Sequence, residues 1–140
     1  MQNGPIFIVD DDLDDHEIVR EIWNELKAPN EIVFFSRAED VLERLYNMKE
    51  APFMIICDIN LPKMNGFDLR QKLLESGSRK LKSVPFIFWT TNASEVQIEY
   101  AYNLSAHGFF VKGTRFDEVR STLNTILNYW SISKMPVKYD

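Results

Sequence analysis

Four apolar runs in this 140-residue chain end in side chains that could do chemistry. PIFIV (5–9) runs into Asp10-Asp11-Asp12, and FMIIC (53–57) into Asp58-Ile59-Asn60. PFIFW (85–89) runs into Thr90-Thr91-Asn92, and GFFV (108–111) into Lys112-Gly113. If these ends converge, Asp10, Asp11 and Asp58 supply three carboxylates, Thr90 a hydroxyl and Lys112 an ammonium. Carboxylates packed together repel one another and lose hydration. A divalent cation resolves that conflict. Hard oxygen donors, with no Cys or His at a matching end, select Mg2+ or Mn2+ over zinc. Such a pocket suits phosphoryl transfer: Asp58 attacks phosphorus, Thr90 donates a hydrogen bond, and Lys112 neutralises developing charge.

Convergence requires particular elements. These runs and a further one, EIVFF (31–35), are each about five residues long, rich in Ile, Val and Phe, and continuously apolar. That pattern predicts strands covered on both faces. Helical stripes lie between them: Ile18, Ile22 and Leu26 with Val19 and Trp23, then Val41, Leu42, Leu45 and Met48. Phe67, Leu69, Leu73 and Leu74 mark a third, less regular stripe, and Val96, Ile98, Tyr100, Ala101 and Leu104 a fourth. Val119, Leu123, Ile126, Leu127 and Trp130 mark the fifth. Ser36 through Glu39 and Thr114 through Asp117 fit capping boxes, and Asn65 and Asn92 fit helix caps. Five strands alternating with five helices predict a doubly wound α/β fold on a parallel sheet, a three-layer sandwich. Ligands of such sheets bind beyond the carboxyl ends of the strands, where the chemistry-bearing residues fall.

Composition narrows the function. A hydrophobic content of 45% in this length predicts one domain over residues 1–140, with a core of about 5–130 and loose ends at MQNG and 131–140. The lone cysteine, Cys57, rules out an internal disulfide and reads as a buried structural thiol. The N-terminus lacks a basic region and its apolar run is too short for export or a membrane span, so a cytoplasmic protein without membrane association is expected. Net charge is −5, with 16 Lys and Arg spread thinly, so nucleic acid is not an expected partner. Asp12, Asp14 and Asp15 read as N-terminal helix acids, and His16 and His107 as surface or structural histidines.

IFIVDDD, IICDINLPKMNGFDL, PFIFWTT and GFFVKG, in this order and spacing, resemble the receiver domain of two-component response regulators over about residues 5 to 130. The resemblance implies the flavodoxin-like strand order, which periodicity alone does not give. It implies that Asp58 accepts a phosphoryl group from a phosphohistidine on a sensor histidine kinase or histidine phosphotransfer protein. Asp10 and Asp11 would bind Mg2+ with Asp58 and the Asn60 backbone carbonyl. Pro62 and Gly66 match the loop into the third helix. Thr90 would contact the phosphoryl group, and Phe109 would be the aromatic switch residue.

Output would pass to a downstream protein, or to a second copy, through the face of the fourth helix, fifth strand and fifth helix. Tyr100, Tyr102, Phe109 and Tyr129 supply aromatic anchors near that face. Beyond phosphotransfer and loss of its own phosphate, no enzymatic turnover is expected. One departure stands out: Gly113 follows Lys112, where receivers usually carry a proline.

Two other functions fit parts of the pattern. A small phosphatase of the haloacid dehalogenase type also uses an Asp nucleophile, a Thr or Ser and a Lys. Such enzymes, however, place the nucleophile early as a DxD pair and need a late acidic pair, whereas Asp58 sits mid-chain as Asp-Ile-Asn. A phosphorylation-independent binding module would not need the complete acid, Thr and Lys set.

Overall fold

The computed structural model describes residues 4–134. The five apolar runs form strands β1 (Ile6–Val9), β2 (Ile32–Phe35), β3 (Met54–Cys57), β4 (Phe86–Thr90) and β5 (Gly108–Val111). All pair in parallel, in the order β2-β1-β3-β4-β5. The three inner strands are buried at every position, which explains why their sequences show no polar alternation. The edge strands are mostly half-buried.

Among the described residues six helices cover the sheet: α1 (Leu13–Leu26), α2 (Ala38–Tyr46), α3 (Gly66–Glu75), α4 (Arg79–Ser83), α5 (Glu95–Asn103) and α6 (Phe116–Ile132). The expected fourth and fifth helices are therefore α5 and α6. The additional α4 is a five-residue turn that buries only Leu81, too short to show a helical period. Helix α6 continues through Ser131 and Ile132, two positions expected in the tail. Of the expected loose ends, residues 1–3 and 135–140 lie outside the described residues.

Strand alternation splits the core in two. Phe7, Val9, Ile55, Cys57, Phe86 and Phe88 pack beneath α2, α3 and α5. Ile6, Ile8, Met54, Ile56, Ile87 and Trp89 pack beneath α1 and α6. This is the expected three-layer sandwich. Among the described residues no helix is long and apolar enough to cross a membrane.

Local signals were only partly as expected. Asn65 caps α3 in a reciprocal pair with Asp68. Helix α5 starts from Ser94, boxed with Gln97, and not from Asn92. Helix α2 starts one residue later than the Ser36 motif predicts, so Glu39 turns onto its own N–H and Arg37. At α6 the Arg115 N–H donates to Glu118, displacing the expected pair of Thr114 and Asp117. Ile18 lies at the exposed margin of α1, and His16 takes a buried place on its inner face with Val19, Ile22 and Trp23.

One buried cation joins two helices. Arg70 of α3 is 1% exposed, and its Nε and Nη2 donate to the carbonyls of Leu104 and Ser105, each at 3.0 Å. These carbonyls end α5, where Ser105 takes the left-handed conformation with φ 60°. The guanidinium also lies 5.4 Å from the Phe86 ring centre. Arg70→Ala strips two carbonyls of their donor and opens a cavity, and should cost about 3 kcal/mol in urea unfolding.

Candidate functional site

The strand order reverses between β1 and β3, so their carboxyl ends open the crevice where ligands of doubly wound sheets bind. Asp10 and Asp58 stand one residue past those ends. Ladder hydrogen bonds continue that one step further. Asp10 N donates to Phe35 O at 2.9 Å, Asp58 N to Val9 O at 2.9 Å, and Lys112 N to Thr90 O at 2.7 Å. The sheet itself therefore fixes the backbones of all three residues.

Their side chains meet. Carboxylate oxygens of Asp10, Asp11 and Asp58 lie within 4.8 Å of one another. Lys112 Nζ reaches Asp10 Oδ2 at 2.6 Å and Asp58 Oδ2 at 3.0 Å. Asp58 Oδ1 accepts the Asn60 backbone N–H at 3.2 Å, and Asp10 Oδ1 that of Asp12 at 2.9 Å. Asp10 and Asp58 are buried, whereas Asp11 is exposed. Burial raises the Asp10 pKa to about 6, and the hydrogen bond from Lys112 offsets only part of that rise. Burial would lower Lys112, but its hydrogen bond to Asp10 and the charges of Asp10 and Asp58 outweigh this and raise it.

The strand-end residues expected at the site divide between the two faces of the sheet. Alternation along the strands puts Asp10, Asp58 and Lys112 on the α1/α6 side, and Lys112 Nζ lies 5.6 Å from the Trp89 ring centre. Thr90 and Phe109 follow Phe88 on the other side. Phe109 is half-buried with its ring centre 6.1 Å from that of Phe88. Thr90 is fully buried, and its hydroxyl has no hydrogen-bond partner. Such an orphan is costly unless an incoming group satisfies it.

Two residues of the site were not expected from sequence. Asp15 Oδ2 lies 3.1 Å from Lys112 Nζ, adding a fourth carboxylate. His16 Nε2 lies 2.6 Å from the Asp10 carbonyl oxygen, with its ring stacked on Phe34. By sequence Asp15 reads as a helix-start acid and His16 as a surface or structural histidine. Extending the Val19 and Trp23 stripe back by three and seven positions would have placed His16 on the inner face. Cys57 is buried as expected, with its thiol pushed well up by desolvation. His107 is structural, accepting the Phe86 N–H through Nδ1.

The family model for the response regulator receiver domain matches residues 6–124. The chain belongs to the response regulator receiver family. Chemotaxis protein CheY-3 of Vibrio cholerae is 30% identical over 112 residues, covering 79% of this chain and 82% of that protein. The crystal structure of the phosphorylated cyanobacterial phytochrome response regulator RcpA matches with TM-score 0.86 and 23% identity, over 96% of this chain and 99% of that one. The Mn2+-bound form of response regulator Rcp1 matches with TM-score 0.84 and 20% identity, over 96% and 99%. The chain spans about half the length of two other curated relatives it matches, 52% and 50%. The receiver match sets aside the phosphatase alternative.

Two glycines of this receiver fit their surroundings without room to spare. A Cβ on Gly66 would lie 2.3 Å from the Asp58 carbonyl oxygen, so α3 can start this close only with glycine. A Cβ on Gly113 would lie 2.5 Å from the Glu118 Cβ. On this backbone any residue with a Cβ, proline included, would meet Glu118 too closely unless one of them shifted. The described residues contain no cis peptide, and Lys112 reaches the acids without one.

Gly113→Ala should therefore cost about 1–3 kcal/mol. A double-mutant cycle in urea should show that Glu118→Gly relieves much of this cost. Cation binding should also depend on pH. Asp10 would ligate a cation as the carboxylate, so a proton would compete with the cation. Affinity should be level above pH 6 and fall about tenfold per unit below it, measured by Mn2+ titration calorimetry.

Proposed function

We propose that Asp58 is the phosphoacceptor of a single receiver domain whose core spans about residues 5–130, charged by a phosphohistidine donor. The observation that carries this reading is the contact of buried Asp58 with Lys112, beside Asp10 and Asp11. An Asp58 oxygen attacks phosphorus, the P–N bond to imidazole breaks, and the leaving nitrogen takes up a proton. Water later cleaves the acyl phosphate and returns Asp58 and inorganic phosphate.

The donor set of hard carboxylate oxygens fits Mg2+. Asp10, Asp11, Asp58 and the Asn60 backbone carbonyl would hold it, and the Mn2+-bound form of Rcp1 is in keeping with such a site. A cation bound there supplies positive charge that lets two anions approach. Lys112 adds a point charge fixed by its neighbours.

Thr90 is the switch. Its unpartnered hydroxyl gains an acceptor when a phosphoryl group stands on Asp58. The group and the hydroxyl belong to opposite faces of the sheet, so this bond pulls on the side that carries Phe109 and α5. The α5–β5–α6 face is the proposed output surface for a downstream protein or a second copy. Tyr100, Tyr102 and Tyr129 are 48%, 54% and 62% exposed there. The proposed donor is a sensor histidine kinase or a histidine phosphotransfer protein, and the proposed location of this receiver is the cytoplasm.

Acetyl phosphate should label the wild-type protein only with Mg2+ present, with a hydroxylamine-labile bond resolved on a phosphate-affinity gel. Asp58→Asn should take no label, and an Asp58→Asn protein that still does would overturn the assignment.

A further inference from the structure

Asp10 is gripped at each of its polar groups. Its N–H donates to Phe35 of β2, and its carboxylate takes Asp12 N–H and Lys112. Its carbonyl accepts from His16 Nε2 at 2.6 Å. A carbonyl only accepts, so Nε2 carries the proton. The His16 backbone N–H also donates to Asp12 O at 3.3 Å. One residue of α1 thus holds the chain on both sides of Asp11, the exposed member of the acidic cluster.

The His16 ring is itself held. It is buried and stacks on Phe34, ring centres 4.8 Å apart and planes 27° from parallel. The Arg20 guanidinium lies 4.7 Å from the centre of the same Phe34 ring. Phe34 precedes Phe35, whose carbonyl takes the Asp10 N–H. The stack therefore ties the acidic corner to β2.

From this geometry we infer that His16, seated on Phe34, is a positioning residue for the cation-binding corner, fixing where Asp10 and Asp11 present their carboxylates. The inference rests on reading Asp10, Asp11 and Asp58 as the divalent site. Groups that orient metal ligands from behind typically change affinity by about 10- to 100-fold when removed. A purely structural histidine would instead lower stability and leave cation affinity alone.

The test is titration calorimetry with Mn2+, beside thermal melts, on the wild type and three variants. His16→Leu, which loses the donor, should raise the Mn2+ Kd about tenfold. His16→Gln, which keeps a side-chain N–H, should recover most of that loss. Ile22→Ala, a buried deletion on the same helix, should lower the melting temperature and leave Kd unchanged. Without metal, the amides of Asp11 and Asp12 should exchange hydrogen faster in His16→Leu.

Wild-type affinity in His16→Leu, or an equal loss in Ile22→Ala, overturns the inference. No Mn2+ binding by the wild type instead removes the cation site itself, and the inference falls with it. If His16→Leu does not fold, Phe34→Leu decides, because it keeps the histidine and removes its seat. A raised Kd there supports positioning, and an unchanged Kd overturns it.

Discussion

One ammonium faces four carboxylates at the carboxyl edge of this sheet. Asp10, Asp15 and Asp58 all bond Lys112, and Asp11 stands close beside them. Removing charges from water is costly, and breaking a buried pair strands the partner. The surplus of negative charge can persist only because the surrounding chain cannot relax away from it. Parallel ladders fix Asp10, Asp58 and Lys112 from the main chain. Gly66 lets α3 close against the Asp58 carbonyl, and Gly113 lets α6 close behind Lys112. Such a hollow is poised for a divalent cation and a phosphoryl group, which together replace repulsion with attraction.

The division of the site across the sheet gives it a second property. Three charged groups lie on the α1/α6 side, while Thr90 and Phe109 belong to the side packed beneath α2, α3 and α5. A group that engages both sets must draw them toward one edge. Phe67 connects that edge to α5, meeting Phe88 and Tyr100 edge-on at 5.2 and 4.8 Å. Arg70 grips the far end of α5. Helix α3, which begins against Asp58, is thereby coupled to the proposed output face at two points.

Much of this was legible in the sequence because buried parallel strands announce themselves. Continuous apolar runs located the three buried inner strands and also the half-buried edge strands β2 and β5, and the residues after four of the runs located Asp10, Asp11, Asp58, Thr90 and Lys112. Other features left no such trace. Helix α4 is too short for a period. Helix starts at Arg37, Ser94 and Arg115 depend on where each chain leaves its strand, which cap motifs alone do not fix. Asp15 and His16 look like any acidic helix entry until α1 is docked. An arginine as deeply buried as Arg70 is unexpected from its type alone.

The most direct measurement is an anomalous difference map from crystals of the protein grown with Mn2+. The account predicts the strongest peak among the carboxylates of Asp10, Asp11 and Asp58, with Lys112 still reaching Asp58. A peak elsewhere, with those three carboxylates holding only Lys112 and water, would contradict it.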